Sequence, residues 1–167
     1  MRALPEGWPY SGDMARTLIT GMSGAGKSTL LVELARRGYK TVDNDYDGWE
    51  DVHRFRYEPR MTALLETEPD VFVSGTVENQ GTFYDRFDHV VLLSLPVDVL
   101  LMRVTVRTNN PYGRTPEEQA EIRRYVAEVE PLLRAGASVE LDAQRSVTEL
   151  ANILEQLISN AGQPAVR

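Results

Sequence analysis

The chain has 167 residues, enough for one domain with a hydrophobic core, and its hydrophobic fraction of 42% is that of a globular protein. It contains no cysteine, which excludes disulfides, thiolate metal sites and a cysteine nucleophile. A net charge of −7 opposes binding to nucleic acid or anionic membrane, and no apolar run reaches the roughly 20 residues that span a bilayer. We therefore expect a cytoplasmic monomer or homodimer that acts on a small molecule, with no nucleic-acid or membrane partner.

The N-terminal residues 1–14 are rich in glycine, proline and small polar residues and show no periodicity. They are predicted to form a flexible extension, although Trp8 and Tyr10 leave open the alternative that it is pinned to the surface. A single folded domain is expected over residues 15–160, followed by a C-terminal tail at 161–167.

The domain is predicted to begin with a buried strand at Arg16–Thr20, and a helix is predicted at Ser28–Arg37, where Gly38 ends it. Between them, Gly21–Ser28 fits the phosphate-loop pattern G-x-x-x-x-G-K-[ST] at every fixed position. Such a loop points successive backbone N–H groups into one concavity, and the dipole of the following helix adds positive potential. A chance glycine-rich turn is the alternative, and the flanking strand and helix argue against it.

This loop predicts a nucleotide site in which Lys27 reaches the β- and γ-phosphates and the Ser28 hydroxyl ligates Mg²⁺. The residues expected to contact the nucleotide here are Gly21, Met22, Ser23, Gly24, Ala25, Gly26, Lys27, Ser28 and Thr29.

The next predicted strand, Tyr39–Val42, leads into an acidic pair, Asp43 and Asp45. One carboxylate is expected to accept the proton of an attacking hydroxyl and the other to help hold magnesium. We assign the first role to Asp45 and the second to Asp43; the alternative is that both only cap or solvate a turn.

Residues 46–58 form an aromatic, basic and acidic stretch that either offers a stacking ring and an anion contact to a ligand or is an ordinary surface helix. A helix is predicted near Pro59–Glu66 and a strand at Val71–Ser74. The loop Gly75–Gly81 that follows offers amide and carboxylate groups to an acceptor, unless it is merely a polar turn. A helical turn is predicted at Thr82–Arg86.

After a predicted fourth strand, His89–Ser94, a helix is expected to begin at Pro96 and to end near Thr108. Arg103 and Arg107 are four residues apart and should share one face of it. They either bind an anion between them or solvate the helix. A polar loop at 108–116 carries Arg114.

Two capping boxes mark the C-terminal helices. The first, Thr115–Glu118, is predicted to open one helix with a continuous apolar stripe formed by Ile122, Val126, Val129 and Leu133. A fifth strand is predicted at Val139–Asp142, and the second box, Ser146–Glu149, precedes an amphipathic last helix. Many motors and switches have a magnesium-binding aspartate at the end of an apolar strand, but strand three ends in Ser74-Gly75 and strand four in Ser94, so neither provides it.

Strands that alternate with helices predict a three-layer α/β/α sandwich around a five-stranded parallel sheet, with ligands at the carboxyl ends of the strands. The phosphate loop, the Asp43-x-Asp45 pair and the Arg103, Arg107 and Arg114 set together resemble the superfamily of nucleoside monophosphate kinases and shikimate kinases, over Thr17–Ile158.

The resemblance implies that Arg103 packs on the adenine and that Arg107 contacts phosphates, while Arg114 comes from a short lid at 108–116. It also implies that Gln144 and Arg145 lie beside the adenine and that residues 46–58 bind the phosphoryl acceptor. Lys27, Asp45, Arg107 and Arg114 are the expected catalytic residues of an ATP-dependent kinase with Mg²⁺ and a small-molecule acceptor. Two alternatives stay open: a nucleotide-gated switch or slow ATPase with a protein partner, and a non-catalytic ATP-binding module.

Overall fold

The structure is a computed structural model that describes residues 14–45, 58–76 and 79–160. Its centre is a five-stranded sheet in which every recorded strand pair is parallel, with the order β2-β3-β1-β4-β5. The strands are β1 (Arg16–Thr20), β2 (Thr41–Asp43), β3 (Val71–Ser74), β4 (His89–Ser94) and β5 (Val139–Asp142). Because β1 lies at the centre of the sheet, the residues that follow it start between the carboxyl ends of β3 and β4.

Helices cover both faces of this sheet, which confirms the predicted α/β class. They are α1 (Lys27–Arg36), α2 (Glu58–Thr67), α3 (Val97–Val106), α4 (Pro116–Glu128), α5 (Glu130–Gly136) and α6 (Val147–Asn160), with a 3₁₀ helix at Gln80–Arg86. The adjacent β1 residues Leu18 and Ile19 are both fully buried but belong to different core clusters. Because successive residues of a strand face opposite sides, this sheet has a core on each face.

The larger core packs α1, α3 and α6 against the sheet through residues such as Leu30, Leu100 and Leu154. The smaller core packs α2 and the 3₁₀ helix through Met61 and Phe83. Strands β1, β3 and β4 are buried along nearly their whole length, and β3 and β4 accordingly contain continuous apolar runs.

A polar clamp ties α1 to α6 on the surface of the larger core. Arg37 Nε donates to Glu33 Oε1 at 2.8 Å, and its Nη1 donates to Glu155 Oε2 at 2.6 Å and to Asn152 Oδ1 at 2.8 Å. The guanidiniums of Arg36 and Arg37 lower the pKa of Glu33 to about 2. The clamp therefore fixes the helix that starts from the phosphate loop.

Two predicted helices differ from those observed. The helix expected to reach Thr108 ends at Val106, with Arg107 as an extended C-cap residue (φ −64°, ψ 149°). The β-branched run before it has low helix propensity, and the Arg107 side chain instead bonds two carbonyls of the next loop. The Arg107 N–H still donates to Arg103 O at 3.1 Å, so the two residues lie one helical turn apart, but their guanidiniums bond different carbonyls.

The continuous helix predicted from Thr115 is also wrong, because it breaks at Val129 into α4 and α5. Pro131 explains the break: it has no N–H to donate to Ala127, and its ring clashes with the carbonyl four residues back. Smaller differences are that β2 occupies Thr41–Asp43 and that Pro96 is the N-cap residue of α3 instead of its first helical residue.

Several expectations concern residues that lie outside the described part of the chain: the extension up to residue 13, the acceptor segment 46–57, residues 77 and 78 of the loop after β3, and the tail 161–167. Within the described ranges, no helix is long and apolar enough to cross a membrane.

Candidate active site

The loop Gly21–Ser28 connects β1 to α1 and is shaped by contacts that only glycine permits. Gly24 has φ +90°, and a Cβ placed on it would lie 2.5 Å from Val104 Cγ1. Val104 is fully buried in α3, so it cannot move aside easily. The side chains of Met22 and Ala25 pack in the core and are only 8% and 1% exposed. These two residues therefore contribute mainly backbone groups to the surface of the loop.

The amino end of α1 has unsatisfied backbone donors. Its N-cap residue, Gly26 (φ +98°), has no side chain, and the first amide bonded back to the cap is that of Leu30, to Gly26 O at 3.0 Å. No side chain in the described ranges caps the amides of Lys27, Ser28 and Thr29. Amides of this kind, together with the helix dipole, bind anions.

Lys27 points back over the loop. It is only 7% exposed, and its Nζ donates to Gly21 O at 2.7 Å and to Met22 O at 3.2 Å. Burial lowers the pKa of Lys27, the carboxylates of Asp45 and Asp43 raise it in part, and the positive charge of Arg107 lowers it further. Three predicted site residues, Asp43, Asp45 and Arg107, therefore interact electrostatically with the ammonium group of a fourth, Lys27.

Ser28 and the acidic pair meet at the same edge. Ser28 Oγ donates to Asp43 Oδ2 at 2.7 Å, and the other carboxylate oxygen, Oδ1, accepts the amide of Asp45 at 3.1 Å. The side chain of Asp45 is exposed. The turn therefore orients Asp43 toward the loop and presents Asp45 at the surface of the cleft.

This donor set fits Mg²⁺. No group of three His, Cys, Asp or Glu side chains capable of holding a metal occurs among the described residues. Mg²⁺, however, is usually held by one or two protein oxygens and substrate phosphates, and it keeps several waters. The adjacent hydroxyl of Ser28 and carboxylate of Asp43 supply such oxygens at the amino end of α1.

Arg107 reaches the phosphate loop from the far side of the cleft. Its Nη1 donates to Ser23 Oγ at 3.1 Å, its Nε to Asn110 O at 3.2 Å and its Nη2 to Tyr112 O at 2.9 Å. Arg114, which is exposed, donates from Nη2 to the carbonyl of Arg107 at 2.7 Å. Arg107 and Arg114 are therefore joined through a backbone carbonyl at the start of the loop between α3 and α4.

A carboxylate in the first turn of α4 holds the loop between α3 and α4. Glu118 Oε2 accepts the amides of Gly113 at 2.9 Å, Arg114 at 3.0 Å and Thr115 at 3.1 Å, and these N–H groups lower the pKa of Glu118. The predicted capping box is confirmed and extended by two amides. A Cβ on Gly113 would lie 2.6 Å from Val104 Cγ2, so Val104 touches both this loop and the phosphate loop.

The residues predicted to lie beside the base are found near one another. Arg103 Nη2 donates to Ala143 O at 2.9 Å, in the turn between β5 and α6. Gln144 and Arg145 are exposed in the same turn, where Asp142 Oδ1 accepts the amide of Gln144 at 2.9 Å.

The sequence did not single out the hydroxyl groups below the loop. Thr76 Oγ1 donates to Gly21 O at 2.6 Å and lies 3.2 Å from Thr20 Oγ1, which accepts from Gln80 Nε2 at 3.1 Å. A signal was present, because Thr20 ends β1 and Thr76 lies two residues after the end of β3, at the same edge of the sheet. The register of β1 and β3 that brings them together is tertiary information.

The fold and this arrangement of loop, lysine and serine define a phosphate-loop nucleotide-binding protein with the kinase type of fold. The chain belongs to the family described as AAA domain, which it matches over residues 18–124. No curated protein matches its sequence.

Solved structures share the fold. The shikimate kinase from Acinetobacter baumannii in complex with shikimate has a TM-score of 0.67 and 22% identity, covering 90% of this chain and 96% of that chain. The deoxyadenosine kinase from M. mycoides with bound dATP has a TM-score of 0.58 and 15% identity (85% and 98% covered). A gluconokinase from Sinorhizobium meliloti 1021 has a TM-score of 0.57 and 18% identity (87% and 94% covered). The predicted resemblance to shikimate kinase-like phosphate-loop kinases is thereby confirmed for the fold.

Proposed function

We propose that the protein is an ATP-dependent phosphotransferase that acts on a small acceptor, either a nucleoside or nucleotide or a shikimate-like hydroxyl compound. The observation that carries the proposal is the convergence of Lys27, the Ser28–Asp43 pair and Arg107 on the phosphate loop. A positive cradle next to a carboxylate pair suits the transfer of a phosphoryl group better than simple storage of a nucleotide.

The triphosphate is held by groups that already face the cleft. Backbone amides at the start of α1 bind phosphate oxygens, and Lys27 exchanges its carbonyl partners for the β- and γ-phosphates. Arg107 and Arg114 stabilise the negative charge that spreads over the equatorial oxygens during transfer. The base lies between Arg103 and the turn of Gln144 and Arg145.

Ser28 and Asp43 hold Mg²⁺, which when bound neutralises part of the phosphate charge. Asp45 orients the acceptor hydroxyl and accepts its proton, a role that its exposed position at the cleft permits. The segment 46–58 binds the acceptor, and that segment and the loop 108–116 close to exclude water.

The structural neighbours support a small acceptor with hydroxyl groups. They include kinases described for shikimate, deoxyadenosine and gluconate, which differ in size and charge. The acceptor of this chain is therefore to be found by a screen that covers all three chemistries.

The test is a screen of hydroxyl and phosphate acceptors by ADP release, with mass spectrometric detection of the product. Lys27→Ala should abolish acceptor-dependent ADP release. Lys40→Ala is the matched control, because Lys27 and Lys40 are the two lysines of the sequence and Lys40 pairs with Glu68 at the surface. Wild-type turnover by Lys27→Ala with the true acceptor would refute the proposal. ADP release without a phosphorylated small molecule would favour the switch or ATPase, and tight binding without turnover would favour a binding module.

A further inference from the structure

One main-chain oxygen joins the phosphate loop to the loop that follows β3. Gly21 O accepts Lys27 Nζ at 2.7 Å and Thr76 Oγ1 at 2.6 Å. A carbonyl oxygen has two lone pairs, so both of its acceptor positions are used. Gly21 is buried, and Thr76 lies two residues after the end of β3.

The hydroxyl of Thr76 is itself the end of a directed hydrogen-bond chain. Gln80, which is 3% exposed, donates from Nε2 to Thr20 Oγ1 at 3.1 Å. The Thr20 proton is then directed at Thr76 Oγ1, 3.2 Å away, because Gln80 Oε1 is farther at 3.5 Å. The single proton of Thr76 goes to Gly21 O. Donors and acceptors that run in one direction polarise one another, and Thr20 is fully buried, so water cannot replace the chain.

We propose that Thr76 is a positioning residue that allows Lys27 to leave Gly21 O for the phosphates of the nucleotide. This inference rests on the proposed function. When an anion draws the ammonium away, Thr76 keeps the buried carbonyl hydrogen-bonded, so no acceptor is left unsatisfied. Without the hydroxyl, Lys27 is the remaining side-chain donor to that carbonyl and is held back from the nucleotide.

The experiment measures binding of ADP with Mg²⁺ by calorimetry, with no phosphoryl acceptor present. Thr76→Val should weaken ADP binding about five- to tenfold, the effect of leaving one hydrogen-bonding group unpaired, and Thr76→Ser should restore it. Thr82→Val is the matched control, because it removes a threonine hydroxyl that donates to Asn79 O at 2.8 Å in the neighbouring turn. Melting curves check folding, and Thr76→Ala replaces Thr76→Val if the latter does not fold.

A double-mutant cycle with Lys27→Ala separates a positioning role from a structural one. If Thr76 acts through Lys27, adding Thr76→Val to Lys27→Ala causes no further loss of ADP affinity. Additive losses, or a Thr76→Val variant that binds ADP like the wild type, would overturn this inference and leave the proposed function intact. Unchanged ADP binding by Lys27→Ala alone would instead refute the proposed function.

Discussion

The hydroxyl of Ser28 donates to Asp43 Oδ2 at 2.7 Å, across the gap between the phosphate loop and the end of β2. This contact joins a residue of the nucleotide motif to one of two aspartates that the sequence left with alternative interpretations. An aspartate that only capped a turn would have no reason to face Ser28. The contact gives Asp43 and Asp45 different environments, and it predicts different consequences for their substitution.

Asp43→Asn should weaken the Mg²⁺-dependent part of nucleotide binding by about tenfold or more, because it replaces the one charged ligand offered to the metal, a carboxylate, by a neutral amide. The measurement is ADP affinity as a function of Mg²⁺ concentration, compared with ADP affinity in the presence of a chelator. Affinity without metal should stay close to that of the wild type. An equal loss with and without Mg²⁺ would show that Asp43 has a structural role.

Asp45→Asn should leave the affinity for ADP with Mg²⁺ nearly unchanged and should reduce acceptor phosphorylation by about 10²- to 10⁴-fold, the usual contribution of a general base. The two quantities are measured by calorimetry and by product formation with the acceptor found in the screen. Asp98→Asn is a control, since Asp98 forms an exposed ion pair with Arg123 at the start of α3. Full activity of Asp45→Asn would assign the proton to another group.

Lys27 should titrate below its ordinary pKa of 10.5 in the nucleotide-free protein, because burial disfavours the ammonium. Adding ADP with Mg²⁺ should raise the pKa, since phosphate charge favours the charged form. Lysine-specific NMR can measure both, because the sequence has two lysines and Lys40→Arg assigns the signals. The unfolded chain binds more protons between the lowered pKa and 10.5, so Lys27 should make stability rise with pH in that window. A pKa that ADP does not raise would contradict the expected phosphate contact.

Gly24→Ala and Gly113→Ala should each destabilise the protein by about 1–3 kcal/mol, because the new Cβ meets Val104 and the backbone has positive φ. Gly24→Ala should also weaken nucleotide binding, as it distorts the loop. Gly81→Ala is the control, since a Cβ there would meet nothing within 4 Å. Urea unfolding measures the stabilities. Equal effects at all three positions would show that the Val104 contact does not decide them.

The clamp of Glu33 and Arg37 should stabilise the fold at neutral pH. The pKa of Glu33 is lowered from 4.5 to about 2, so its contribution is present above pH 4.5 and is lost as the pH falls toward 2. Glu33→Gln should lower the melting temperature by about a few degrees at neutral pH, and the difference should shrink in acid. High salt should reduce it too, because the carboxylate is near the surface. A pH-independent difference would assign the effect to packing.

The parts of the molecule that were predicted from sequence depend on local pattern. The phosphate loop, the two capping boxes and the buried runs Val71–Ser74 and His89–Ser94 are specified by neighbours in the chain, and the structure contains each of them. The strand alternation with helices was enough for the fold class.

The parts that were not predicted depend on contacts between distant residues. The helix α3 ends where the backbone of Arg107 becomes extended. The guanidinium of Arg107 bonds the carbonyls of Asn110 and Tyr112, contacts that lie beyond the helix and that its sequence pattern does not encode. The break at Val129 was missed because the apolar stripe continues across Pro131. The contact of Thr76 with Gly21 requires the register of β3 against β1, which no single segment encodes.

The strand β1 lies in the middle of the sheet and β2 at its edge, so changes in the chain after each strand should affect the fold differently. The phosphate loop follows the middle strand, β1, where a change in length would disturb the neighbouring strands on both sides. The strand β2 has a neighbour on one side only, β3, so a change in the length of the chain after it would disturb fewer strands. Under the proposed function, this edge position would allow the acceptor-binding segment to diverge while the phosphate loop stays the same.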